Sequence, residues 1–115
     1  MPRNLNKTSK HVLICNGKTC YEAGGEKLTE AVEDEIMEKE IEEQIHVTKT
    51  FCNGRCKDKC AAVVYPEGVW YKGLVPEDAT ALVDAFAENE QLWEKVSYRY
   101  DGEVFSEMVL KEEDK

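Results

Sequence analysis

With 115 residues, the chain can bury roughly two thirds of its unfolded surface in a single core, without a disulfide framework. It carries 24 acidic against 15 basic side chains, a net charge of −9 at pH 7. That balance argues against nucleic acid and anionic membrane surfaces as partners, and only three Pro and seven Gly exclude a low-complexity chain.

Residues 1–10 are polar and predict a flexible arm, with no apolar stretch behind their positive charges to make a secretion signal. No apolar run is long enough for a membrane-spanning helix, so the expected location is cytoplasmic. His11-Val12-Leu13-Ile14, ending at Cys15, has the length and branching of a buried strand. Asn16 to Gly25 holds three Gly and reads as a loop. From Glu26 to about Glu43, Leu28, Ala31, Val32 and Ile36 fall on one face of an amphipathic helix, and the other face holds much of the acid. Ile45 to Phe51 predicts a second strand with apolar positions 45, 47 and 51.

A cysteine-rich loop follows, from Cys52 to Cys60. Ala61 to Tyr65 and Val69 to Tyr71 are strands joined by a Pro66-Glu67-Gly68 turn too short for a crossover, hence antiparallel. Pro76 opens a second helix, with Glu77 and Asp78 in its first turn and Ala79, Leu82, Val83, Phe86 and Ala87 as its buried stripe. Val96 to Tyr100 and Glu103 to Phe105 form a hairpin pivoting on Asp101-Gly102. Residues 111–115 read as a disordered tail. The β-α-β-β-β-α order predicts an α/β fold, a thioredoxin-like sandwich with a mixed sheet over residues 11–95, extended by the hairpin at 96–110.

The five cysteines are Cys15, Cys20, Cys52, Cys56 and Cys60. Cys15 and Cys52 close the two strands of a parallel β-α-β unit, whose ends share one sheet edge. The C-x4-C and C-x3-C pairs therefore converge, and four thiolates at one point suit either an iron–sulfur cluster or structural zinc. Gly17 and Gly54, each two residues past a strand-closing cysteine, can present backbone N–H groups there without an intervening side chain. No C-x-x-C exists, which argues against a dithiol oxidoreductase. His11 and His46 read as ordinary strand residues and not as ligands.

Residues 11–15, the run Cys52-Asn53-Gly54-Arg55-Cys56, residues 63–71 (VVYPEGVWY) and Pro76-Glu77-Asp78-Ala79 together resemble the thioredoxin-like [2Fe-2S] ferredoxins. The four-residue gap after Cys15 is similar to that of short-loop relatives associated with cobalamin biosynthesis. The resemblance implies a small electron carrier, often a homodimer, with one [2Fe-2S] cluster. Its ligands would be Cys15, Cys20, Cys52 and Cys56, with Cys60 as the alternative to Cys20. Two other readings use the same cysteines: a zinc-binding structural module, or a metal or cluster delivery protein. The acidic helix further predicts a redox partner with a basic face.

Overall fold

The computed structural model describes residues 4–108; the first three residues of the predicted arm, the end of the 96–110 extension and the predicted tail lie outside them. Strand β1 (Lys10–Cys15) runs parallel to β2 (Ile45–Thr50), with His11 opposite His46 and Cys15 opposite Thr50. On its other side β1 pairs antiparallel with β3 (Ala62–Tyr65), which turns into β4 (Val69–Tyr71). Strands β5 (Val96–Tyr100) and β6 (Phe105–Glu107) continue the same sheet, in the order β2-β1-β3-β4-β5-β6. The C-terminal hairpin thus lies on this chain's own sheet edge.

Period-two alternation decides which face is covered. Val12, Ile14, Ala62, Val64, Val69, Tyr71 and Val96 join one core with Leu28, Val32 and Ile36 of α2 (Gly25–Glu38) and Leu82, Val83 and Phe86 of α3 (Ala79–Ala87). Both helices therefore lie on the same face. Leu13, Val63, Trp70 and Tyr98, which follow one another across the paired strands, point to the opposite face.

Three of the boundaries that differ from the expectation have a direct physical cause. The glycine-bearing stretch after β1 is not all loop, because it contains the short helix α1 (Lys18–Glu22). Helix α2 stops at Glu38 and not near Glu43, because Glu40 turns left-handed with φ 59°. The N–H of Ile41 then donates to Ile36 and that of Glu40 to Met37, the two bonds of a Schellman stop. Asn89, at φ 60°, ends α3 in the same way through Glu90 to Ala85 and Asn89 to Phe86. At the hairpin tip, β6 starts only at Phe105, because the Asp101 carboxylate accepts the N–H groups of Glu103 and Val104. Those bonds hold the Asp101 carboxyl below its ordinary pKa.

Lys10 at the head of β1 is only 4% exposed. Its ammonium meets the Glu67 carboxylate in the β3–β4 turn and the Asn89 side-chain oxygen at 3.1 Å. One buried cation thus ties the sheet to the end of α3. Glu67→Ala leaves that charge without its counter-ion and should cost about 3 kcal/mol, whereas Lys10→Met, which removes the charge itself, should cost less. Urea unfolding of both variants checks the order, and equal losses would mean that the pair contributes only packing.

Candidate metal centre

Because β1 and β2 are parallel and end together, the chain leaves both strands at one sheet edge. The N–H of Asn16 donates to Thr50 at 2.7 Å, and that of Cys15 to Ala61 at 3.0 Å, so the two cysteine loops start out bonded. Gly17 then presses directly on Cys52. A β-carbon on Gly17 would lie 2.8 Å from both the backbone N and the Cα of Cys52. The φ of Gly17 is −60°, an ordinary value, so glycine is needed there for space and not for its dihedral freedom.

Next, α1 carries Cys20 inward. Cys15 and Cys20 are both buried, and their thiols interact. Cys60 is buried beside them and its thiol donates to the Cys20 carbonyl at 3.4 Å. Cys15 in turn donates to the Phe51 carbonyl at 3.5 Å. Burial pushes the Cys20 thiol up to about 11, against a hydrogen bond from the Ala61 backbone, with Cys15 and Cys60 adding to the rise. Burial first, and then Cys15, also raises Cys60. Until a cation replaces their protons, Cys20 and Cys60 therefore stay neutral.

Cys52 is exposed, and the N–H of Gly54 donates to its sulfur at 3.3 Å. Cys56 opens a short 3-10 turn that ends at Asp58. That turn is fastened from outside the loop. Gly73 donates to the Asp58 carbonyl at 2.9 Å and Leu74 to that of Cys60 at 3.2 Å. Arg55 donates to the Asp58 carboxylate at 2.8 Å, and its guanidinium lies 5.0 Å over the Tyr98 ring of β5.

Sequence reasoning missed that last contact, and nothing local in the sequence signals a pairing 43 positions apart. It also misplaced Phe51. Strand alternation suggested an apolar position, yet β2 ends at Thr50 and Phe51 stands 90% exposed. His11 and His46 stack at 4.6 Å on neighbouring strands, both with Nε2 on the Thr48 hydroxyl.

The structure therefore brings Cys15, Cys20 and Cys60 together, with Cys52 on the adjoining loop. Among the described residues no three His, Cys, Asp or Glu side chains converge closely enough to hold a metal ion, and the Cys56 side chain is not among those described. The surroundings nevertheless fit a thiolate-bound cluster. The donors are all sulfur, and Gly17 keeps a side chain out of the seam between the loops. A buried donor also waits: the Asn53 Oδ1 lies 3.1 Å from the Thr50 hydroxyl oxygen, while its Nδ2 has no acceptor. Cluster sulfur is the kind of acceptor such an orphaned N–H lacks.

Residues 3–87 match the family described as thioredoxin-like [2Fe-2S] ferredoxin. The chain belongs to that family. It is 45% identical over 103 residues to a relative from Priestia megaterium with a provisional 2Fe-2S ferredoxin name, covering 89% of this chain and 80% of that one. It is 30% identical over 90 residues to the 2Fe-2S ferredoxin of Clostridium pasteurianum, covering 71% and 88%. The solved thioredoxin-like [2Fe-2S] ferredoxin of Aquifex aeolicus superposes with a TM-score of 0.76 at 25% identity, covering 84% of this chain and 96% of that one. The thioredoxin-like expectation holds, and the ferredoxin is an electron carrier whose cofactor is a [2Fe-2S] cluster. A zinc module or a delivery protein finds no support in these comparisons.

Gly17→Ala tests the seam of the ferredoxin's two loops. The variant should fold with stability lowered by about 1–3 kcal/mol, the cost of overpacking, and should retain much less iron and visible absorbance per chain after reconstitution. Iron content equal to the wild type would mean that the loops need not touch.

Proposed function

We propose that Cys15, Cys20, Cys52 and Cys56 hold the cluster, with Cys60 as the alternative to Cys20, and that the ferredoxin performs no substrate chemistry of its own. The observation that carries this reading is the Gly17–Cys52 contact, which joins the loop of the first cysteine pair to the loop of the second. When bound, the cluster supplies one-electron chemistry between ferric and ferrous iron. The chain's own residues set the surroundings. Cys15 and Cys20 lie on the protein side, shielded from water, and Cys52 lies on the solvent side.

A cytoplasmic site of action is supported by Cys15, Cys20 and Cys60, which are free thiols as in a reducing compartment. Among the described residues no helix is long and apolar enough to cross a membrane. A redox partner with a basic face is supported by α2, where Glu30, Glu33, Asp34 and Glu38 are exposed. A homodimer is supported by the sheet face opposite the helices and by the exposed aromatic rings Tyr65, Tyr100 and Phe105.

Alanine at Cys15, Cys20, Cys52 or Cys56 should abolish or destabilise the cluster, whereas Cys60→Ala should keep the visible spectrum. A native spectrum in Cys20→Ala together with its loss in Cys60→Ala would transfer the ligand role to Cys60. For the assembly, light scattering at low micromolar concentration should report twice the 13.1 kDa chain mass. A single-chain mass at every concentration would remove the dimer and leave the open face to another protein.

A further inference from the structure

The electron must leave or enter where the site meets solvent, and among the described cysteines the exposed one is Cys52. Phe51 stands beside it, 90% exposed, forgoing one of the larger burial gains any side chain offers. Its backbone is not loose. The Phe51 carbonyl accepts the Thr50 hydroxyl at 2.9 Å, which ties down the backbone from which the ring projects. An apolar group held ready in this way loses little freedom when it docks.

The charge of the two loops that meet beside it is opposite to that of the molecule. Residues 17–20 and 49–60, joined at the Gly17–Cys52 contact, hold five cations and one carboxylate in a chain of net charge −9. Arg55 and Asp58 pair with each other. Lys18, Lys49, Lys57 and Lys59 are exposed and, among the described residues, make no ion pair. Over residues 26–44 the balance reverses, with nine acids against two lysines. Screening confines each patch to about 10 Å at 0.1 M salt, so the lysines and not the net charge govern an encounter at this edge.

We propose that this edge is a second docking surface, with Phe51 as its apolar anchor and Lys18, Lys49, Lys57 and Lys59 as a cationic rim. It fits a redox protein presenting an apolar recess ringed by carboxylates. A carrier meets both a donor and an acceptor, and faces of opposite sign let it receive the two differently. The inference rests on Cys52 being a cluster ligand, and goes beyond the basic partner assigned above to α2.

The test is stopped-flow oxidation of the reduced, cluster-loaded protein by two haem proteins of opposite charge, acidic cytochrome b5 and basic cytochrome c. In each case one electron passes to haem iron(III), giving iron(II). Lys49→Glu/Lys57→Glu/Lys59→Glu, its cluster confirmed by visible absorbance, should slow the reaction with cytochrome b5 about tenfold and leave cytochrome c unaffected or faster. Phe51→Ala should slow cytochrome b5 alone, by about threefold. The wild-type rate with cytochrome b5 should fall as salt rises, which keeps the proposal testable if the triple variant loses its cluster. A wild-type rate that rises with salt, or a cytochrome b5 rate unchanged in Phe51→Ala and in the loaded triple variant, overturns the proposal. Glu30→Lys/Glu33→Lys separates the two surfaces: unchanged oxidation by cytochrome c in that variant defeats the α2 reading and leaves this one standing.

Discussion

Everything at the metal centre depends on two parallel strands ending together with nothing between their loops. Parallel pairing of β1 and β2 in register sets the shared edge, with Cys15 opposite Thr50. The Gly17–Cys52 contact then closes the last gap, which even a methyl group would hold open. Close packing makes such a seam intolerant, because a rigid interior transmits a small misfit and does not absorb it. Gly25 repeats the constraint on the far side of the first loop. A β-carbon there would meet the Cys15 carbonyl at 2.9 Å and that of Cys20 at 3.0 Å, so α2 can start only where the loop allows.

The C-terminal hairpin is part of this arrangement although it lies past the residues that match the family. Pairing with β4 places Tyr98 beside Trp70, and the Tyr98 ring receives the Arg55 guanidinium from the second cysteine loop. Arg55 also holds Asp58, whose carbonyl accepts from Gly73. A loop of this length left to itself would sample many conformations, and each tie removes some of that freedom before any cluster binds. The hairpin also covers the β4 edge, which would otherwise present unpaired backbone groups to other chains.

The fold was legible because its signals are local. Branched runs marked the strands, the three-and-four spacing marked both long helices, and a turn too short for a crossover settled β3 against β4. The errors fall where a local signal met a longer-range one. Glycines suggested a loop after Asn16, but burial of Cys20 stabilises a turn of helix there. Glu40 has no special tolerance for left-handed backbone, yet Ile41 packs on the core and forces the stop. For the site, cysteine spacing and strand order placed the loops together. The repeated Cys-Asn-Gly at 15–17 and 52–54 was the available clue to the rest, since in each repeat the asparagine keeps one buried polar atom unpaired.

The centre is also asymmetric, and the asymmetry follows from strand order. β1 lies between β2 and β3, so Cys15 leaves a strand flanked on both sides and is buried at once. β2 is the edge strand, so the loop after it has protein on one side only and Cys52 emerges into solvent. An electron carrier needs both environments. The buried side keeps water from the thiols, and the exposed side brings a redox partner within transfer distance. Moving the second cysteine pair to a central strand would bury Cys52 too, and the site would lose its solvent side. The position of β2 at the sheet edge also explains why Phe51, the most exposed large apolar side chain among the described residues, lies there.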